Sequence, residues 1–338
     1  MTFVLSRRAL LAGAGALAAV PAFGATPPGA MDDVLDYARS QRTTGFLVVR
    51  ERKTLAETNW PVTGGAGLFS ALAYETTSDG ALLEDVASQQ KSFVAMLAAI
   101  AVDKGLLDVE ASVSDIIGAG WSKASRDEER AIRVIHLLTM CSGLGEKLER
   151  VAAPGAAFFY NTPAYAVTKA VLAAAAKQSL ETITQDWLTA PAGMTNTAWR
   201  KRPASMADVG NPTGLVTSPR DVARFGQVVL DGGRAADGTR IVSEVQLKAM
   251  FERTATNPSY GRLWWLNGGA YALRPLAGRS DGPLIPAAPA DLVAALGALD
   301  RKLYVVPSLK LVVVRMGQAA LDKDFDQQLW LRLMKALG

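Results

Sequence analysis

The sequence holds one cysteine, Cys141, and one histidine, His136, and each scarcity closes off a class of chemistry. A single thiol cannot form an internal disulfide framework, even in an oxidising compartment. With one imidazole there is no cluster of His, Cys and carboxylates at metal-ligand spacing, so no metal site and no cofactor is expected. A serine hydrolase of the Ser-His-Asp type would have to use His136. That residue lies in an apolar helical pattern, Ile132-Arg133-Val134-Ile135-His136-Leu137-Leu138, and reads as a hydrogen-bonded packing residue. Cys141, close behind it, leaves a Cys-His pair open, but nothing else in the sequence serves one. Clustered charge is missing too. Lysine and arginine number 36 against 32 acidic residues, a net charge of +4, and the basic residues are scattered, so no nucleic-acid partner is expected.

Long apolar runs are equally scarce. Residues 9–20 are apolar and small, but the run is too short and too glycine-rich for a spanning helix. It follows Arg7-Arg8 and precedes Pro21-Ala22-Phe23-Gly24-Ala25, the layout of a cleavable signal peptide over residues 1–25. Ser6-Arg7-Arg8 looks like a twin-arginine signal, which implies export of a folded protein to the periplasm or beyond. No cysteine follows to accept a lipid, and no membrane span is expected after cleavage. Apolar residues make up 49% and charged ones 20%, a globular balance, and the length suits about two domains or one large core with an insertion.

The pattern along the chain favours the second arrangement. A helix is expected over residues 31–40, then strands over 45–50 and 54–60 around a polar turn at Glu51-Arg52-Lys53. Near the other end, residues 301–306 and 310–316 flank Pro307-Ser308-Leu309 as a second hairpin. Phe325, Leu329, Leu333 and Leu337 then mark an amphipathic final helix. Strands at both ends enclose a helix-rich middle. The fold class expected is therefore α+β, an antiparallel sheet over residues 31–81 and 213–338 flanked by terminal helices, with an all-helical or mainly helical domain over 82–212. Within it, Thr162-Pro163 and Ser218-Pro219 read as N-caps followed by proline. Residues 268–289, rich in Gly and Pro, read as a long loop of the kind that borders a site.

One stretch carries chemistry. Ser88-Gln89-Gln90-Lys91 opens a run over residues 93–102 that is apolar all round, hence a buried helix, ending at Lys104-Gly105. Positions three apart share a helix face, so the Lys91 side chain reaches Ser88. Burial and the positive helix end both disfavour an ammonium there, and a neutral lysine can take the hydroxyl proton. This is the S-x-x-K arrangement of acyl-transfer enzymes. The four residues alone leave a second reading open, in which Ser88 only caps the helix and Lys91 snorkels to water.

Further phrases follow in order: Lys104-Gly105-Leu106-Leu107-Asp108, the stretch Ile132 to Leu144, Pro154-Gly155 with Phe159-Tyr160-Asn161, Gly214 to Phe225, Tyr260-Gly261 with Trp264-Trp265, and Tyr304 to Pro307 with Leu311 to Gly317. Taken together they resemble the serine β-lactamase and penicillin-binding-protein superfamily, and within it the class C β-lactamase-like branch that includes esterases and 6-aminohexanoate-dimer hydrolases. The resemblance implies a cleft between sheet and helical domains, with Ser88 as nucleophile, Lys91 as base and Tyr160 sharing proton transfer. It places Thr162 where the family's second box has asparagine. It puts the third box, Lys-Thr-Gly in β-lactamases, on Ala295-Leu296-Gly297, with Gly297 letting substrate approach the strand. The oxyanion would be held by the N–H groups of Ser88 and Ala298.

Ala295 cannot bind the carboxylate that β-lactams bring, and Arg301 is the one cation near it in sequence. The expected function is therefore an exported serine hydrolase acting on small neutral acyl esters, with Trp264 and Trp265 lining an acyl pocket. An amidase of the 6-aminohexanoate-dimer type, a weak β-lactamase, and a ligand-binding scaffold without turnover are the alternatives. The partner in each case is a small molecule, an ester or amide for the enzymes.

Overall fold

The structure is a computed structural model that describes residues 29–338 apart from 63, 66 and 276. The expected signal peptide lies outside the described residues. Strands β1 (Thr43–Arg50) and β2 (Lys53–Asn59) form the first hairpin, joined by Glu51 and Arg52, both with positive φ. Two left-handed central residues give the turn whose twist matches the flanking strands. Two strands follow, β3 (Ala73–Thr76) and β4 (Leu82–Asp85), and much later β5 (Ala198–Lys201) and β6 (Thr213–Thr217). These four make a small antiparallel sheet in the order β3-β4-β6-β5. It ties the middle segment to the chain on either side of it, and β4 delivers the chain to Ser88.

The remaining strands are β7 (Trp265–Leu266), β8 (Tyr271–Arg274), β9 (Gly278–Asp281), β10 (Val293–Gly297), β11 (Arg301–Val306) and β12 (Leu311–Gly317). The main sheet runs β2-β1-β12-β11-β10-β7, with every pair antiparallel. Both chain ends thus build one sheet, as the two predicted hairpins require. Every residue of β11 and β12 is buried, which explains why Leu311-Val312-Val313-Val314 shows no polar alternation.

Helices cover both faces. Helix α1 (Asp32–Ser40) packs on β1, and the final helix seats Trp330 edge-on against Tyr304 of β11 at 5.5 Å. Helix α2 (Gln90–Asp103) is buried from Gln90 to Ala101. Helix α3 (Thr162–Ala176) packs beside it, and helix α4 (Pro219–Leu230) lies across β1, β11 and β12. Phe93 of α2 stacks on Phe225 of α4 with ring centroids 3.8 Å apart, so one apolar core runs from the helices into the sheet. Helix α5 (Phe325–Leu337) ends the chain. Among the described residues no helix is long and apolar enough to cross a membrane.

The long loop expected over 268–289 contains structure. β8 and β9 pair from Tyr271↔Asp281 to Arg274↔Gly278, and the Arg279 guanidinium lies 4.1 Å over the Tyr271 ring. Apart from Ala272, which is buried, its strand residues are exposed or half-exposed, so the hairpin has backbone pairing without hydrophobic periodicity to announce it.

Candidate active site

Asp85 ends β4 and is fully buried. One of its carboxylate oxygens accepts the Ala87 N–H at 2.8 Å, and Arg202 donates to both, at 2.7 and 2.9 Å. The carboxylate thereby holds Ala87 in a left-handed conformation, φ 50°, that alanine ordinarily avoids. This kink starts a single 3₁₀ turn, Ala87–Gln89, which presents Ser88 partly exposed while its neighbours are buried. The serine therefore stands on the turn before α2 rather than inside the helix.

Lys91, on the first turn of α2, is 2% exposed. Its Nζ lies 2.9 Å from Ser88 Oγ and 3.2 Å from Thr162 Oγ1, and 4.8 Å from the ring centres of both Tyr160 and Tyr165. Burial lowers its pKa to about 7, and the nearby Arg202 charge adds to the shift. The two rings favour the cation, by about 2 kcal/mol each in a desolvated setting, and so work against a desolvation penalty of several kcal/mol. With its pKa at about 7, a large fraction of Lys91 is neutral near pH 7. Burial pushes Tyr160 up to about 12, a rise opposed by its hydrogen bond with Ser88, so its hydroxyl keeps the proton at neutral pH.

The second box needs one correction. Asn161, not Thr162, caps α3: its side-chain oxygen accepts the Ala164 N–H at 2.9 Å, and its amide donates to the Leu144 and Gly145 carbonyls at 2.8 Å each. A cap lies one residue outside the first helical position, and with proline at the second that residue is Asn161. Thr162 is left free to point its hydroxyl at Lys91.

The third box is rearranged more. Side chains alternate across a strand, so 295 and 297 share one face of β10 while 296 and 298 share the other. Ala295 is fully buried and contributes nothing to the cavity wall, which takes Leu296, Gly297 and Ala298 instead. A Cβ on Gly297 would stand 2.3 Å from the Val86 carbonyl oxygen and 3.3 Å from the Gln89 nitrogen. The missing side chain therefore lets β10 lie directly on the turn that carries Ser88; substrate access is not what demands it. The following turn is pinned from behind. Arg315 donates to the Leu299 and Asp300 carbonyls at 2.7 and 3.1 Å, and buried Arg301 pairs with Glu84 at 2.5 Å. Arg301 is consequently no substrate contact.

The cavity over Ser88 has a volume of about 450 Å³. Tyr160 and Trp265 form one side, stacked with centroids 5.9 Å apart, and β10 forms another. The β8–β9 hairpin with Leu284 closes it, contributing Arg274, Pro275 and Ala277. Trp264 does not take part. It is fully buried against Phe225 and Phe251, at 5.8 and 5.4 Å, because its neighbour Trp265 occupies the cavity-facing side of the chain. Sequence reasoning missed Leu296, which strand alternation could have supplied, and Arg274, which lay in a presumed loop without pattern. His136 lies outside this cavity, its Nδ1 accepting the Arg133 N–H at 3.1 Å.

Residues 36–333 match the model of the Beta-lactamase family. The chain belongs to that family. No curated protein matches it. Solved structures do, and they show its β-lactamase/DD-peptidase-like fold. A protein assigned as a β-lactamase from Bacteroides dorei aligns with a TM-score of 0.69 at 16% identity, over 90% of this chain and 97% of its own. One assigned as a 6-aminohexanoate-dimer hydrolase from Bacillus anthracis reaches 0.65 at 16%, over 90% and 81%. EstCE1, a hydrolase with promiscuous acyltransferase activity, reaches 0.62 at 15%, over 91% and 96%. The family is one of serine hydrolases.

Proposed function

We propose that this chain is an exported serine hydrolase that cleaves carboxylic esters through an acyl-enzyme on Ser88. The observation that carries the reading is Lys91: a buried amine 2.9 Å from Ser88 Oγ, with a pKa brought to about 7. As Oγ attacks the ester carbonyl, its proton passes to neutral Lys91. The tetrahedral oxyanion lies against the N–H groups of Ser88 and Ala298, a pair of donors worth roughly 3–4 kcal/mol each. The alcohol leaves with a proton that Lys91 returns, with Tyr160, still protonated, as the relay beside Ser88. Water then attacks the acyl group, gives its proton to Lys91, and the acid departs with Ser88 re-protonated. Esters are favoured over amides because an alkoxide needs less protonation to leave than an amine, and because the apolar wall of Trp265, Leu284 and Leu296 offers little to a peptide backbone. The N-terminal sequence supports export to the periplasm or beyond.

Treatment with a fluorophosphonate, followed by peptide mass analysis, should place the adduct on Ser88. Hydrolysis of p-nitrophenyl butyrate should stand well above a Ser88→Ala control, and nitrocefin should be turned over more slowly. Labelling of Ser142 or Cys141 with Ser88 untouched overturns the assignment, and faster nitrocefin turnover in kcat/KM overturns the ester preference.

A further inference from the structure

The expectation of neutral substrates rested on the missing cation at position 295, yet the wall of the same cavity carries one. Arg274 ends β8 and lines the cavity together with Ser88. Its guanidinium is tethered by one bond, from Nη2 to the Leu284 carbonyl across the hairpin. Its Nε is buried with no hydrogen-bond partner. None of the ion pairs among the described residues includes it. The acidic residues on its far side, in the neighbouring hollow by the start of α5, have other partners or face water. Asp300 and Asp326 pair with Lys302 at 3.2 and 3.1 Å, Asp322 accepts from Tyr37 at 3.1 Å, and Asp324 is exposed.

A guanidinium cannot shed its proton to escape burial. Arg274 is only half-buried and lines the cavity, its one hydrogen bond among the described residues is from Nη2, and its planar fork fits a carboxylate. All other described side chains of this wall, apart from Ser88 and the Tyr160 hydroxyl, are apolar, so a ligand oxygen entering the cavity finds Arg274 as its one charged partner. We propose that Arg274 is the specificity-determining residue of the cavity, binding a carboxylate carried by the ester substrate on its acyl or its alcohol arm. The proposal rests on the hydrolase reading of Ser88 and replaces neutral esters with half-esters of dicarboxylic acids, or esters of carboxylated alcohols, as the preferred class.

Matched pairs test it. Monomethyl adipate is compared with methyl hexanoate for the acyl arm, and 4-(butyryloxy)benzoate with phenyl butyrate for the alcohol arm, at pH 8, in wild type, Arg274→Gln and Arg274→Lys. The anionic-to-neutral ratio of kcat/KM should fall by about ten- to a hundredfold in Arg274→Gln for one of the pairs, as expected for a lost charge-assisted hydrogen bond. Arg274→Lys should recover part of it. A second measurement needs no variant: hexanoate should inhibit p-nitrophenyl butyrate hydrolysis by the wild type competitively, and hexanamide much less. Ratios equal in wild type and Arg274→Gln for both pairs, or hexanamide inhibiting as well as hexanoate, overturn the proposal while leaving the hydrolase intact. Silence on all four esters with Ser88 unlabelled removes the hydrolase reading and the proposal with it.

Discussion

Gly297→Ala is the sharpest test of how the site is assembled. Gly297 has φ −123°, a conformation open to any residue, so the objection to alanine is space alone. The added Cβ would sit 2.3 Å from the Val86 carbonyl oxygen. An ordinary C···O contact is about 3.3 Å, so the end of β10 must retreat from the nucleophile turn by about 1 Å. Neither side can yield cheaply. Val86 belongs to a backbone whose next residues are fixed by Asp85, and the turn after Gly297 is pinned by Arg315. Overpacking of this kind costs about 1–3 kcal/mol of stability. With the oxyanion pair proposed above, the catalytic loss should be larger, because the Ala298 N–H moves away from that of Ser88, and a misaligned oxyanion donor costs about 10²–10³ in kcat. The assay is steady-state hydrolysis of p-nitrophenyl butyrate beside a thermal melt. The expected result is a folded protein with KM little changed and kcat down at least a hundredfold. A variant that melts several degrees lower yet keeps kcat within threefold would refute the claim that this glycine sets the oxyanion geometry.

Lys91 gives a pH signature. With its pKa at about 7, kcat/KM should rise through pH 7 and level off, and Lys91→Arg should lose the activity because a guanidinium does not deprotonate; full activity in that variant places the base elsewhere. The same shift acts on stability: between about pH 7 and 10.5 the unfolded chain holds a proton the folded chain lacks, so the contribution of Lys91 becomes more favourable as pH rises. Lys91→Met should therefore be more stable than wild type by up to about 5 kcal/mol below pH 7, the gain fading toward pH 10.5 in urea titrations. The two tryptophans should part company. Trp264→Ala opens the core and should cost about 3–5 kcal/mol of stability with KM unchanged, whereas Trp265→Ala, also buried but facing the cavity, should in addition raise KM for acyl esters severalfold; an unchanged KM in that variant would contradict the cavity assignment.

Much of this was legible from residues alone. The amphipathic final helix rests on a four-residue apolar repeat, the terminal hairpins on apolar runs flanking a turn, and the buried helix after Ser88 on an apolar run too long for a strand. Lys91 beside Ser88 follows from helical spacing. What escaped detection fails by one residue or has no period at all. Reading the third box as a string put weight on Ala295, although a strand shows alternate residues to the cavity and Leu296 is the one it shows. The cap of α3 fell on Thr162 in the sequence and on Asn161 in the structure, since Thr-Pro and Asn-Thr-Pro are both acceptable helix starts. Arg274 sits on a hairpin without a repeating apolar pattern, and nothing in its neighbours says where its side chain goes.

The buried charges behind Ser88 explain why the Lys91 ammonium is disfavoured. Three basic side chains, Lys91, Lys169 and Arg202, share a buried region with one carboxylate, Asp85. That carboxylate is engaged on both oxygens by Arg202 and on one by the Ala87 N–H, so it is spent on the nucleophile turn. Lys169, brought to about 6 by burial first and Arg202 second, finds Asn211 Oδ1 at 2.7 Å, the Thr213 carbonyl at 2.9 Å and the Thr213 hydroxyl at 3.0 Å. Two acceptors and one hydroxyl that can donate are what a neutral amine requires. Lys91 goes further: its polar partners, Ser88 and Thr162, are both hydroxyls. A hydroxyl can turn from acceptor to donor by rotating its hydrogen. In the proposed mechanism Lys91 can therefore gain and lose its proton without leaving a carbonyl or carboxylate unpaired in either state. The carboxylate that bends Ala87 to raise Ser88 is thus withheld from Lys91, and fixing Ser88 and disfavouring the Lys91 ammonium are one arrangement.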